Sequence, residues 1–114
     1  MTKRLLFLAL VVFWAANAFA QASPGYTKIA STNGLSQIDT SVTDGDVYQY
    51  QVTAINQFGE SAPVASNVAP IPATGTHSVT LSWGASPTAG VTYNVYRITG
   101  APPNSPGAFT AAVN

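Results

Sequence analysis

From Tyr48 to Asn56 the chain alternates: Tyr48, Tyr50, Val52 and Ala54 share one parity, and Gln49, Gln51 and Thr53 take the other. A period of two predicts a β-strand with one face in a core and one in water. The same spacing recurs along the chain. Tyr26–Ser31 predicts a short strand ended by an Asn33-Gly34 turn, and Gln37–Val42 predicts a second. Thr43-Asp44-Gly45-Asp46 then makes a tight turn with Gly45 at positive φ. Phe58-Gly59-Glu60 turns the chain again, and Ala65–Ala69 predicts the strand after it. Ser78–Trp83 sets Val79, Leu81 and Trp83 inward against Ser78, Thr80 and Ser82 outward. Thr92–Ile98 sets Tyr93, Val95 and Arg97 on one face and Asn94, Tyr96 and Ile98 on the other. Pro70–Gly75 reads as a connector, since proline cannot donate to a ladder, and Gly100–Gly107, with three prolines, reads as loop. Short strands separated by turns, with no helical period after residue 20, predict a sandwich or small barrel.

The first 20 residues follow a different rule. Lys3 and Arg4 precede an apolar run from Leu5 to Ala16, and Asn17-Ala18-Phe19-Ala20 ends in small residues. This is the layout of a secretory signal peptide cleaved after Ala20, with Ala18 and Ala22 ending alternative triplets. The run is shorter than the ~20 residues that cross a bilayer, so the membrane is met only during export. No cysteine follows, which excludes a lipid-anchored lipoprotein.

Removing that segment leaves Lys28 and Arg97 against Asp39, Asp44, Asp46 and Glu60. A mildly acidic chain with no basic patch argues against nucleic-acid binding. The absence of cysteine makes the apolar core the source of stability, although an exported protein has access to disulfides.

Several of these segments resemble strands of fibronectin type III domains. Tyr48–Asn56 followed by Gly59-Glu60-Ser61 resembles the F strand with its corner tyrosine, and His77–Trp83 resembles the B strand with Trp83 as the core tryptophan. Tyr93-Asn-Val-Tyr-Arg97 is similar to the C strand of bacterial secreted members, Tyr26–Ala30 to C′, Ile38–Thr40 to E and Ser66–Val68 to G. The order departs from the family's A-B-C-C′-E-F-G. Residues 21–69 carry the C-terminal half of a repeat (C′-E-F-G), 70–76 a linker, and 77–114 the N-terminal half of a repeat (B, C and the start of C′). A weak internal repeat agrees, since Ser23-Pro-Gly-Tyr-Thr-Lys28 is similar to Ser105-Pro-Gly-Ala-Phe-Thr110.

The resemblance implies an all-β, immunoglobulin-like (fibronectin type III) β-sandwich after an N-terminal signal-peptide helix. Its two halves are expected to close on each other in circularly permuted order, because separated halves would expose Trp83, Leu81, Tyr50 and Val52, each worth roughly 1.5–3 kcal/mol when buried. A strand-swapped homodimer satisfies the same contacts and is the rival arrangement.

Candidate chemistry is sparse. His77 adjoins Ser78, but a Ser–His pair needs the base in reach of the hydroxyl, and the two lie on opposite faces of one strand. His77 therefore reads as a solvated strand-start residue. Asp44 and Asp46 flank Gly45 and read as turn residues, not as the acid pair of a glycosidase. Asp39, Asp44 and Asp46 also offer oxygens of the kind Ca²⁺ takes, without an EF-hand pattern. Tyr48, Tyr50, Trp83 and Tyr93 fall on core parity. Tyr96, Phe58 and Phe109 are the candidate exposed aromatics, able to stack on sugar rings or a partner protein, and the alternative is that Tyr96 packs under a neighbouring strand or loop.

No residue is assigned a catalytic, cofactor-binding or metal role, and no cofactor is expected. The expected function is a secreted (extracellular or periplasmic) non-catalytic module acting as spacer or binding element toward extracellular polysaccharide or a surface protein. The alternative is the leading piece of a larger secreted hydrolase or adhesin whose active part lies beyond residue 114.

Overall fold

In the computed structural model, which describes residues 22–100 and 107–114, the alternating Tyr48 stretch is the centre of an antiparallel sheet. In chain order the strands are β1 (Thr27–Thr32), β2 (Ser36–Asp39), β3 (Val47–Asn56), β4 (Gly59–Glu60), β5 (Val64–Ala65), β6 (Ala69–Pro70), β7 (Val79–Ser82), β8 (Thr92–Thr99) and β9 (Thr110–Val113). The larger sheet runs β1-β8-β3, with β4, β5 and β6 paired in turn along the far side of β3. The smaller runs β2-β7-β9. The fold is an all-β sandwich of two antiparallel sheets, and every regular element among the described residues is a strand. The expected signal peptide, and most of the expected Gly100–Gly107 loop, lie outside the described residues.

Each sheet is built from both sides of the Pro70–Thr76 connector. β8 lies between β1 and β3 in the larger sheet, and β7 pairs with β2 in the smaller. The two halves thus close on one another, which buries the parity set foreseen for the core. Tyr50, Leu81, Val52, Val79 and Val95 are sealed from solvent, and Tyr48, Trp83 and Tyr93 are also buried. Trp83 meets Tyr93 and Phe109 edge-on, at centroid distances of 5.7 and 6.1 Å. Such aromatic pairs are worth ~0.5–1.5 kcal/mol beyond the area they bury.

The last strand departs from the sequence expectation. The segment after Gly107 was expected to begin a strand beside Thr92–Ile98, but both flanks of β8 are already occupied, by β1 and β3. It instead pairs antiparallel with β7, Val79 opposite Val113 and Ser82 opposite Thr110. On the way it crosses between sheets. Phe109 makes a parallel bridge to Ser66, Ala108 N–H donates to Ala65 O at 2.7 Å, and the Asn67 amide pairs with the Ala111 backbone through both its oxygen (2.8 Å) and its nitrogen (3.0 Å). Phe109 is buried by this crossing, which corrects its expected exposure. Gly107 lies so close to Ser66 and Asn67 that a Cβ there would overlap their backbone.

The expected Ala65–Ala69 strand is also broken, into β5 and β6. On either side of β5 a buried serine accepts an N–H of β3 in place of a ladder carbonyl. Ser61 Oγ accepts the Ala54 N–H at 2.8 Å, and Ser66 Oγ accepts the Tyr50 N–H at 3.0 Å. Each hydroxyl replaces a ladder partner where the edge bends away from β3.

One polar cluster ties the sheets together. Asp39 ends β2 in the smaller sheet, and Tyr50 and Arg97 reach it from β3 and β8. Asp39 Oδ2 accepts from Tyr50 Oη and Arg97 Nη1, both at 2.8 Å, while Oδ1 accepts from the Ser41 backbone N (3.0 Å) and Oγ (2.7 Å). The Arg97 guanidinium also covers the Tyr48 ring at 4.8 Å. Burial pushes the Asp39 carboxyl up, but the Ser41, Arg97 and Tyr50 hydrogen bonds outweigh it and hold the group below its ordinary 3.8. The Ser41 contacts turn the chain, so β2 stops at Asp39 and not at the expected Val42.

Two outcomes are expected. Arg97→Met strands a carboxylate only 3% exposed and costs about 3–5 kcal/mol in chemical denaturation, whereas Arg97→Met with Asp39→Leu recovers most of that loss. Because the folded Asp39 titrates below the unfolded group, its stabilisation is complete above about pH 4 and is lost as pH falls through the lowered folded value. An Asp39→Asn variant flattens that acid limb in urea titrations, and an unchanged limb would show the cluster to be energetically silent.

Candidate functional site

The outer face of the larger sheet is where the polar parity of β3 points. It was expected to meet water, yet Gln49, Gln51 and Thr53 are as buried as the core. A strap formed by Ala22–Tyr26 crosses this face. Gln51 holds it with both amide atoms: Oε1 accepts the Ser23 N–H at 2.9 Å and Nε2 donates to Ser23 Oγ at 3.0 Å. Tyr26 Oη donates to Gln49 Oε1 at 3.2 Å, and Gln49 Nε2 donates in turn to Ser66 O at 2.8 Å. Gly25 sits at φ +90 where a Cβ would come within 3.1 Å of Ile98 Cδ1. Glycine thus serves both the turn and the close approach.

The second part of the face is built on cross-strand register. Tyr96 lies opposite Lys28 on one side and Gln51 on the other, and Asn94 lies between Ser31 and Thr53. Glu60, brought over by the β3–β4 hairpin, gathers the donors. Its Oε2 accepts from Tyr96 Oη, from Thr53 Oγ1 at 2.5 Å and from Asn94 Nδ2 at 3.2 Å. Ser31 Oγ donates to Asn94 Oδ1 at 2.7 Å and extends the network to β1. Burial, then the Glu60 carboxylate, pushes the Tyr96 hydroxyl up to about 12, so at neutral pH it is a protonated donor. Burial alone raises Tyr26.

Between strap and sheet opens a cavity of about 240 Å³ lined by Ala22–Tyr26 and Tyr96. Its chemistry is that of neutral hydroxyls, amides and an aromatic ring edge. It suits a hydroxyl-bearing neutral ligand better than an ion.

The other candidates lie elsewhere and apart. Asp39 is consumed by the inter-sheet cluster, and Asp46 Oδ2 accepts from Tyr48 Oη at 3.3 Å. Among the described residues no three acidic or histidine side chains converge as metal ligands. Gly45 has the expected positive φ, at 83°. Phe58 is exposed at the β3–β4 turn, away from the strap. Tyr96 is half-buried, so both sequence alternatives hold in part: it packs beneath the strap and still borders the cavity. Residue types carry one signal of this cover. The outward parity of β3 and β8 carries amides and hydroxyls instead of the charges an open face would hold, and neutral hydrogen-bonding groups are what a covered face requires.

His77 does not meet the Ser78 hydroxyl. Its Nε2 faces Thr74 O at 2.7 Å and its Nδ1 faces Asn114 O at 3.0 Å. Only the imidazolium can donate to both carbonyls, and these two bonds raise its pKa above 6.5. The sign follows: His77 contributes stability fully below its unfolded pKa and loses it as pH rises through the raised folded value. NMR titration of the imidazole is expected to give a midpoint above 6.5, with thermal stability declining across the same interval in the wild type and not in His77→Ala. A midpoint at or below 6.5 would refute the paired-carbonyl geometry.

No family model, curated protein or solved structure matches this chain, so what the face does has to be argued from its own chemistry.

Proposed function

We propose that the chain is a secreted, non-catalytic module of the fibronectin type III kind, bacterial in style, that acts outside the cytoplasm as a spacer with a binding face. The observation that carries this reading is neighbour order. Immunoglobulin-like sandwiches group A, B and E in one sheet and C′, C, F and G in the other. Here β2-β7-β9 corresponds to E-B-A, and β1-β8-β3 with β5 and β6 corresponds to C′-C-F-G. The segments that resemble C′, E, F, G, B and C by sequence thus have the neighbours those strands have in the family. The chain order is C′-E-F-G-B-C-A, a rotation of the family order for every strand but A, whose place β9 fills from the C-terminal side.

The strap cavity supports the binding half of the proposal. Tyr96 and Tyr26 offer ring edges and hydroxyl oxygens beside Ser23 and the strap backbone, which matches the alternating apolar and hydroxyl surfaces of a neutral polysaccharide.

Two measurements test the reading. Expressed in a bacterium with its own N-terminus, the protein is expected outside the cytoplasm with Gln21 as its first residue by intact-mass analysis; retention of residues 1–20 in a cytoplasmic product would sink the export claim. In affinity electrophoresis through gels containing neutral polysaccharides, retardation by at least one polymer is expected, reduced in Tyr26→Ala and Tyr96→Ala variants that keep the wild-type circular dichroism spectrum. Migration unchanged by every polymer would remove the binding role and leave the spacer.

A further inference from the structure

Among the described residues β1 pairs only with β8, β2 only with β7, and β8 only with β1 and β3. Of the strands up to Pro70, β1 and β2 therefore have no ladder partner inside their own half, and beyond Val79 the same is true of β8. Neither half completes a sheet alone. The halves communicate through one stretch of backbone, Ile71–Ser78. Its start is fixed to the first half: Ile71 N donates to Asp46 O at 2.8 Å, and the Gly45 N–H is shared by the Ile71 and Pro72 carbonyls. From Ala73 to Gly75 the chain bends, with Gly75 at φ +98, and His77 braces the bend through Thr74 O.

We propose that this chain forms a two-fold dimer by exchanging its halves, with Ala73–Ser78 as the hinge and a second copy of the chain as the partner. This goes beyond the reading of the module as spacer and binding element. In the exchanged form every inter-half ladder is remade between chains: β8 of one copy lies between β1 and β3 of the other, and β7 lies against the other copy's β2. The core, the Asp39–Arg97 pair and the Glu60–Tyr96 network are rebuilt unchanged, because each joins a first-half residue to a second-half one. The difference between the two states is confined to the hinge. The closed chain needs the positive φ at Gly75, whereas the exchanged chain can extend there.

Closure within one chain competes at an effective concentration on the order of millimolar for so short a connector. Refolding from denaturant at micromolar concentration is therefore expected to give monomer. Refolding at several hundred micromolar gives a dimer fraction by light scattering, as the intermolecular route approaches that level. Gly75→Val penalises only the closed hinge and is expected to raise the dimer-to-monomer ratio by roughly tenfold or more. Gly90→Val is the control. That glycine also has positive φ (77°) and open space around it, but it lies between β7 and β8 inside one half, so the ratio stays at the wild-type value.

A covalent trap reads the topology directly. Trp83 N donates to Leu35 O at 3.0 Å, so Ser36 and Ser82, the next pair in the antiparallel ladder, face each other at a non-hydrogen-bonded position whose Cα separation suits a disulfide. The chain has no cysteine of its own to interfere. With Ser36→Cys and Ser82→Cys, the dimer isolated after concentrated refolding is expected to run as a covalent dimer on a non-reducing denaturing gel, and the dilute product as a covalent monomer. A dimer whose bridge proves intrachain would be a surface dimer and would overturn the proposal. So would monomer at every concentration in both the wild type and Gly75→Val.

Discussion

The antiparallel ladder between β3 and β8, Tyr48 opposite Thr99 through Ile55 opposite Thr92, is the contact on which the rest of the molecule depends. It joins the half before the connector to the half after it, and it fixes the direction of every side chain in the larger sheet. Because side chains alternate, a slip of β8 by one residue against β3 would turn Tyr93 and Val95 outward and bring Asn94 and Tyr96 into the core. The register is held from both faces. Apolar residues lock it on the inside, and on the outside Thr53, Asn94 and Tyr96 meet one carboxylate oxygen of Glu60 only in this alignment.

In a chain this poor in charge, three of the charged residues sit at joints. Asp39 and Arg97 connect the two sheets, and Glu60 connects β4 to β8. Neither carboxylate is left to burial alone, since Asp39 receives donors on both oxygens and Glu60 receives three on one. Where ladder partners are missing, serine hydroxyls and amides of Asn and Gln stand in for backbone. Gln49, Gln51, Thr53, Ser61, Ser66 and Asn94 are buried for this purpose.

The two faces of the strands differ in how legible they were in the sequence. Inward parity named the core correctly at Tyr48, Tyr50, Val52, Val79, Leu81, Trp83, Tyr93 and Val95, because period-2 alternation is a local property that tertiary context rarely reverses. The outward face of β3 was misjudged because its cover is a strap whose nearest holding residue, Tyr26, is more than twenty positions from Gln49, and no local pattern records such a contact. The site was legible only as single residues. Tyr96 was singled out, but Glu60, Gln51 and Ser23 gained their roles from register and hairpin geometry. Phe109 was misread because its burial depends on which edge was vacant.

The two similar segments make that last point general. Ser23–Lys28 and Ser105–Thr110 share a Ser-Pro-Gly start and an aromatic residue shortly after it, yet they go to different places. The first becomes the strap and the beginning of β1 on the β8 edge, with Gly25 against Ile98. The second leads into β9 on the β7 edge, with Gly107 against the Ser66–Asn67 backbone. Both supply a glycine for close approach. That shared residue does not choose the destination. Once β1 and β3 flank β8, the free edge of β7 is where the later segment can satisfy its backbone, and the Asn67 amide adapts that edge to receive it. Strand position here follows from which hydrogen-bonding edge remains open, and sequence similarity between segments is a guide to conformation more than to place.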